Sequence, residues 1–118
     1  QVLKMLYAVT DGDGTGTKAR VPGYKVGGKT GTVRKLGAGG YEANRYVALF
    51  AGIAPIDSPR IVTVVVVNDP KGALYGGGAV AAPIFGEMID DTLRLLDVAP
   101  TEFGATVGAA QAAPGGAA

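Results

Sequence analysis

The sequence predicts an α+β fold in which an antiparallel sheet is flanked by helices on both faces. Three segments are rich in β-branched and aromatic residues, at positions 24–35, 46–56 and 60–67, and segments of turn-forming residues connect them. Because such short connections cannot cross over a sheet, consecutive strands must run antiparallel. Helical patterns precede and follow this block, at residues 1–9 and 81–96.

The first helix is predicted from apolar residues at the i, i+3, i+4, i+7 spacing, namely Val2, Leu3, Leu6 and Val9. Gln1 lies within this helical pattern, so we expect the chain to be a segment of a longer protein. Residues 11–16 contain only Asp, Gly and Thr and form a loop.

The first and third strands differ in how closely and on which faces other parts of the protein must approach them. Glycines at 27, 28 and 31 in the first strand mark close approach of another part of the chain. Residues 37–44 are rich in glycine and predict a mobile hairpin loop. The third strand is apolar on both faces from Ile61 to Val67, so both faces must be covered.

The second helix, residues 81–96, supplies one of those covers. Its predicted buried stripe consists of Ala81, Ile84, Phe85, Met88, Thr92, Leu95 and Leu96. Pro83 is tolerated because it falls in the first turn. We assign residues 1–100 to one folded unit and residues 101–118 to a disordered Gly/Ala-rich tail.

Composition excludes several classes of function. The formal net charge is +1 and no block of basic residues exists, so nucleic-acid binding is not expected. With no histidine and no cysteine, His-based triads, thiolate catalysis and zinc clusters are excluded, and we expect neither a metal nor a cofactor. No apolar run reaches the roughly 20 residues that span a bilayer.

Residues 23–30 match two incompatible motifs. As Gly-x-x-x-x-Gly-Lys-Thr they fit a P-loop, which binds phosphates at the N-terminus of the helix that follows. Read one step further, Lys29-Thr30-Gly31-Thr32 fits the Lys-Thr-Gly strand of serine acyltransferases that handle penicillin-like substrates. The following residues, up to Gly40, contain four glycines and β-branched residues and predict a strand. We therefore favour the second interpretation.

The Lys-Thr-Gly strand offers a site for a carboxylate. In a strand, Thr30, Thr32 and Arg34 are spaced by two and share one face. Two hydroxyls and a guanidinium on one face suit a carboxylate, since hydrogen bonds to charged groups contribute roughly 1.5–3 kcal/mol each. Gly31 would let a peptide approach as an additional strand. The alternative is an exposed strand whose Lys and Thr have no function.

Five ordered blocks make the chain resemble the C-terminal part of the transpeptidase domain of class B penicillin-binding proteins. Residues 75–100 are most similar to the division-specific peptidoglycan D,D-transpeptidases of Gram-negative bacteria, and the likeness to the family covers roughly residues 1–100. The blocks are residues 14–24, residues 28–32, residues 46–55, residues 65–70, and residues 75–100 with Tyr-Gly-Gly-Gly, Ala-Pro-Ile-Phe and Leu-Arg. The implied fold is that of serine β-lactamases and transpeptidases, with only its C-terminal part present.

The resemblance also implies roles and partners. Lys29 would support the proton network around the nucleophile, Thr30 and Thr32 would hold the substrate carboxylate, and the Thr32 N–H would complete the oxyanion hole. Tyr75 resembles part of the family's aromatic wall beside the cleft. The implied ligands are stem peptides ending in D-Ala-D-Ala and the β-lactams that mimic them. The implied partners are the remainder of the same domain and division proteins, at the periplasmic face of the inner membrane.

The family's nucleophile is missing from this chain. That nucleophile lies in Ser-x-x-Lys, with a second motif Ser-x-Asn, whereas Ser58 is the one serine and fits neither. We therefore expect the chain alone to be inactive. A non-catalytic sensor or binding module, or a D,D-carboxypeptidase, remains an alternative. Ser-x-x-Lys and Ser-x-Asn in the sequence before Gln1 would select an enzyme over the module.

Overall fold

A computed structural model describes residues 1–101 of the chain. Two helices and three strands follow one another with a 3₁₀ turn and a π-helical turn between them. In chain order they are α1 (Val2–Thr10), the 3₁₀ turn (Thr17–Ala19), β1 (Gly27–Gly37), β2 (Gly40–Ala54), β3 (Ile61–Asn68), the π-helical turn (Gly77–Ala81) and α2 (Ala82–Leu95). The tail predicted at residues 101–118 lies outside the described residues, apart from Thr101.

The three strands form one antiparallel sheet in the order β1-β2-β3. Thr30 pairs with Phe50, which pairs in turn with Val65. This arrangement confirms the predicted antiparallel sheet. It also excludes the P-loop interpretation, because β1 continues from Thr30 to Gly37 and no helix follows Lys29-Thr30 to receive a phosphate.

The connection between β1 and β2 differs from the prediction. The prediction of a mobile loop over residues 37–44 is wrong. Gly37 pairs with Gly40 across a two-residue turn, and Leu36 pairs with Tyr41. Gly40 has φ +112°, a left-handed value that glycine tolerates at no steric cost. The register of the β1–β2 pairing shifts between Arg34 and Leu36, and the pairing then continues through the glycine-rich residues to Gly37. The first two strands also begin and end a few residues away from their predicted bounds.

Helix α2 packs on the sheet face that carries Phe50. The rings of Phe50 and Phe85 lie 4.9 Å apart between their centroids, tilted by 56°. The buried residues of α2 are Ala82, Phe85, Gly86, Ile89 and Leu93. Of the predicted stripe, Ala81 and Phe85 are buried, whereas Ile84, Met88, Leu95 and Leu96 are exposed. The buried face is rotated towards Ile89 and Leu93.

Small residues explain this rotation of α2. A Cβ on Gly86 would lie 3.3 Å from the carbonyl carbon and oxygen of Ala19, so the helix backbone rests almost directly on the 3₁₀ turn. A larger residue at position 86 would push the helix away from that turn. The lack of a side chain at Gly86 thus allows the buried face of α2 to lie close to Ala19.

Helix α1 lies beside the start of β1. The Thr10 hydroxyl donates to the carbonyl oxygen of Val26 at 2.6 Å, and the α1 backbone at Leu6 and Tyr7 approaches Gly27 so closely that a Cβ there would lie 2.9–3.0 Å from it. The close approach predicted at the first-strand glycines is therefore present at Gly27. The expected apolar face of α1 is only partly buried, with Val2 and Leu3 exposed.

The second sheet face is open at β3. Val62, Val64 and Val66 are 73%, 60% and 58% exposed, whereas Val65 between them is buried beneath α2. Residues 1–101 do not supply the second cover that the apolar pattern of this strand requires.

Candidate active site

Strand β1 lies at an edge of the described sheet and carries the Lys-Thr-Gly residues. Its pairing puts Thr30, Thr32 and Arg34 on the Phe50 face, opposite Phe50, Ala48 and Tyr46. Lys29 and Gly31 alternate onto the other face. The shared face predicted from the spacing is present, and the binding roles stay predictions.

Both threonine hydroxyls have neighbours from other parts of the chain. Thr15, in the loop before the 3₁₀ turn, places its Oγ1 3.2 Å from Thr30 Oγ1. The N–H of Gly77, at the start of the π-helical turn, donates to Thr32 Oγ1 at 3.0 Å. Two segments distant in sequence therefore meet on the threonine face. Thr15 could not be predicted as a site residue, because a loop of turn-forming residues gives no signal of what its side chains contact.

Gly77 packs directly on the backbone of the β1–β2 pair. A Cβ there would overlap the carbonyl oxygen of Leu49 and would lie 2.5 Å from the oxygen and 2.9 Å from the nitrogen of Gly31. On the other face of Gly31 the Leu49 side chain fills the space, 2.5 Å from where a Cβ would stand. Within this structure, the close approaches to Gly31 come from Gly77 and Leu49.

An aromatic pair extends the threonine face towards the hairpin. The rings of Tyr46 and Tyr75 are stacked, with centroids 4.1 Å apart and planes 13° from parallel. The Arg34 guanidinium lies over the Tyr46 ring, with Cζ 5.9 Å from its centroid. Tyr75 is 44% exposed, so part of its surface is open to a ligand. Tyr46 is a second residue that the sequence analysis missed as a site residue, although it lies in one of the family-like blocks.

An open depression of about 370 Å³ continues this surface along β1. It is lined by Thr32, Val33, Arg34 and Tyr41. Tyr41 falls within residues 37–44, for which the sequence predicts a loop; it is exposed, but it lies in β2 opposite Leu36. Three of the four lining residues belong to the strand that carries the Lys-Thr-Gly motif.

The remaining predicted residues are placed as follows. Lys29 is exposed, and its Nζ donates to the carbonyl oxygen of Thr30 at 3.0 Å. Ser58 is exposed in the connection between β2 and β3. Among residues 1–101 no group of three or more Asp or Glu side chains could hold a metal ion. None of the helices described combines the length and hydropathy needed to cross a membrane.

The sequence of residues 1–90 matches the model of the penicillin-binding protein transpeptidase domain. The chain belongs to that family. It is 43% identical over 99 residues to the peptidoglycan D,D-transpeptidase FtsI of Escherichia coli K12, an alignment that covers 84% of this chain and 17% of that protein. It is 49% identical over 88 residues to the stage V sporulation protein D of Bacillus subtilis, covering 75% of this chain and 14% of that protein.

A solved penicillin-binding protein has the same fold. The TP domain of penicillin-binding protein 3 from Burkholderia pseudomallei superposes with a TM-score of 0.77 at 45% identity, covering 85% of this chain and 30% of that structure. The predicted fold class is thereby confirmed. The chain spans less than a fifth of the length of FtsI and of stage V sporulation protein D, and it carries part of a transpeptidase domain.

Proposed function

We propose that residues 1–100 form the C-terminal part of a peptidoglycan D,D-transpeptidase domain. In the complete protein, stem peptides are cross-linked through an acyl-enzyme on a serine that this chain does not contain, and β-lactams acylate the same serine. The observation that carries the proposal is the face shared by Thr30, Thr32 and Arg34 on an edge strand that also bears Lys29. The family match over residues 1–90 includes this strand.

The hydrogen bonds within the chain prepare this face for an anion. A hydroxyl has one proton to donate and two lone pairs to accept with. Because Thr32 Oγ1 accepts from the Gly77 N–H, its own proton is free to point at a ligand. Thr15 and Thr30 share one proton between them, which leaves the pair one further O–H to donate. Two hydroxyl protons and the Arg34 guanidinium are thus available to a substrate carboxylate.

Lys29 and the backbone of Thr32 supply the remaining chemistry. An ammonium beside a serine nucleophile would stabilise the deprotonated partners of a proton network, which is the role we assign to Lys29. A backbone N–H of an edge strand can point at the oxygen of a tetrahedral intermediate, and we assign this to Thr32. Tyr75, stacked on Tyr46, forms a wall beside the carboxylate site.

The location and partners follow from the same proposal. Peptidoglycan lies outside the inner membrane, so the active site acts at its periplasmic face. The exposed residues Val62, Val64 and Val66 would be covered by the remainder of the domain. The similarity to FtsI supports a role in division and contacts with division proteins.

Acylation of the intact protein by a fluorescent penicillin tests the site. Thr32→Val should slow acylation roughly ten- to a hundredfold, since one hydrogen bond to a charged group contributes roughly 1.5–3 kcal/mol. Lys29→Ala should slow it more, because it removes a charge beside the reacting groups. Thr63→Val, the same change on β3, is the control and should acylate at the wild-type rate. Wild-type rates for both site variants would show that the assignment is wrong.

Product analysis separates transfer from hydrolysis. A transpeptidase joins the acyl group to an acceptor amine, whereas a D,D-carboxypeptidase gives it to water. Incubating the intact protein with stem peptides should yield cross-linked dimers. Release of D-alanine without dimers would favour the carboxypeptidase, and neither product would favour the non-catalytic module.

A further inference from the structure

A cluster of ionic groups lies where β3 ends, next to Arg45 within β2 and beside the aromatic pair. Arg45 donates to Asp69 Oδ2 through Nε at 3.3 Å and Nη2 at 3.1 Å. Lys71 Nζ donates to the same oxygen at 2.8 Å, and Arg45 Nη1 donates to Glu42 Oε2 at 2.6 Å. Arg45 directly precedes Tyr46 in the sequence, and Asp69 begins the segment that leads to Tyr75.

The backbone at Asp69 is held in an unusual conformation. Asp69 has φ +56°, in the left-handed region that non-glycine residues other than Asn and Asp seldom adopt. Its N–H donates to the carbonyl oxygen of Tyr46 at 2.8 Å, one step beyond the last ladder pair, Val47 with Asn68. The segment from Asp69 to Gly76 is therefore fastened at its start to the strand that carries Tyr46.

The same segment is fastened again at its other end. The N–H of Gly77 donates to Thr32 Oγ1, and Tyr75 lies two residues before it. Between the two attachments the residues Lys71, Gly72, Ala73, Leu74 and Tyr75 are exposed. Besides the stacking of Tyr75 on Tyr46, these two hydrogen bonds attach the exposed segment to the sheet at its two ends.

The charged form of the Asp69 carboxylate is stabilised by Lys71 and Arg45. Hydrogen bonds from Lys71 and then Arg45 lower the pKa of Asp69 to about 2. Its other oxygen, Oδ1, is buried without a hydrogen-bond partner among residues 1–101. A buried acceptor without a partner destabilises the folded state. The hydrogen bonds that Oδ2 accepts from Arg45 and Lys71 therefore have to maintain the conformation at Asp69.

We propose that Arg45 and Asp69 form an ionic latch that positions Tyr75 against Tyr46 and so sets the preference of the site for ligands with an aromatic side chain next to the acylating group. The latch touches neither the carboxylate-binding residues nor the reacting atoms, and Arg45 and Asp69 are positioning residues. The proposal rests on the proposed function, because the ligand is the one that the threonine face binds.

Two β-lactams separate this role from general stability. Benzylpenicillin carries an aromatic acyl side chain, and 6-aminopenicillanic acid is the same nucleus without it. In the intact protein, Arg45→Gln and Asp69→Asn should lower the acylation rate constant for benzylpenicillin roughly three- to tenfold, the range that one aromatic contact supplies. The rate constant for 6-aminopenicillanic acid should change less than twofold.

Asp69→Asn removes the charge at constant side-chain size, and Arg45→Gln removes the guanidinium. Asparagine tolerates the left-handed φ of Asp69, so Asp69→Asn adds no backbone strain. Arg45→Lys keeps a cation and should restore part of the preference. The control is Arg94→Gln, which breaks another ion pair, Arg94 Nε to Asp90 Oδ1 at 2.9 Å, on α2 and should leave both rate constants at the wild-type value.

A double variant tests whether the latch acts through Tyr75. Tyr75→Ala should itself remove the preference for benzylpenicillin, and adding Arg45→Gln should then change nothing further. An equal fall in both rate constants, or an undiminished effect of Arg45→Gln in the absence of the Tyr75 ring, would overturn the latch.

Amide hydrogen exchange tests the latch without acylation. Residues 69–77 should exchange faster in Arg45→Gln than in the wild type, while residues 47–54 keep their rate. If the wild-type protein is acylated by neither β-lactam, the proposed function is wrong. The amide hydrogen exchange of residues 69–77 still tests whether the latch exists. Unchanged exchange over residues 69–77 would refute it.

Discussion

Replacing Gly77 with alanine tests how the π-helical turn is seated on the sheet. The added Cβ would overlap the carbonyl oxygen of Leu49 and would lie 2.5 Å and 2.9 Å from the oxygen and nitrogen of Gly31. All three atoms belong to the backbone of paired strands, so no side-chain rotation relieves the overlap. The turn must therefore lift away from β1 and β2.

The expected loss of stability has two physical sources. Forcing one carbon into a packed site costs about 1–3 kcal/mol. Lifting the turn also breaks the hydrogen bond from the Gly77 N–H to Thr32 Oγ1, which contributes about 0.5–1.5 kcal/mol. We expect the free energy of unfolding to fall by about 2–4 kcal/mol. Acylation by penicillin should also slow, because the Thr32 hydroxyl loses the donor that orients its proton.

Urea denaturation of the intact transpeptidase domain measures this loss, and the adjacent glycine is a matched control. A Cβ on Gly76 would meet only Thr32 Oγ1, at 3.7 Å, and Gly76 has φ −79°, which alanine adopts readily. Gly76→Ala should therefore be neutral or stabilise the domain by up to about 1 kcal/mol through the unfolded state. Equal stability of the two variants would refute the backbone contact that we assign to Gly77.

Three further predictions concern the core, the ionic cluster and the open sheet face. Phe85→Ala should lower the free energy of unfolding of the intact domain in urea by about 3–5 kcal/mol, because the ring packs on Phe50 beneath α2; a loss below about 1 kcal/mol would contradict that packing. Because the pKa of Asp69 is lowered from 3.8 to about 2, its ion pairs stabilise the folded state above pH 3.8 and lose that effect as the pH falls towards 2. The stability difference between wild type and Asp69→Asn should thus be constant from about pH 5 to 8 and shrink below about pH 4, and a difference that grows on acidification would be inconsistent with this sign. The 118-residue chain alone should associate through exposed β3, and Val64→Lys should reduce its light scattering; a monomeric wild-type chain at high concentration would exclude this.

The shared face of the Lys-Thr-Gly strand could be predicted because its cause is local. Side chains alternate along any strand, so the spacing of Thr30, Thr32 and Arg34 determines their common face once β1 forms. The glycine-rich residues after Thr30 argue against a helix for an equally local reason. The absence of a helix after Thr30 was enough to favour the Lys-Thr-Gly strand over the P-loop.

The predictions for the buried face of α2 and for residues 37–44 were wrong because the local sequence is compatible with two structures in each case. Helical periodicity did not exclude Ile84 from the buried face of α2, whereas the structure buries Phe85 and places Gly86 against Ala19. Residues 37–44 were assigned to a loop on composition, yet strand pairing continues to Gly37 and Gly40 around a two-residue turn. In each case the deciding interaction joins residues that propensity and periodicity treat separately.

From the sequence alone came the order of the strands and helices, the absence of histidine and cysteine, the Lys-Thr-Gly motif and the family. All of these depend on residue type and on spacing within one element. Only the tertiary structure brought Thr15 to Thr30, Gly77 to Thr32, Tyr46 to Tyr75 and Arg45 to Asp69. These pairs lie 15 to 45 residues apart along the chain, and they form where the loop that contains Thr15 and the segment from Asp69 to Gly77 pack against β1 and β2.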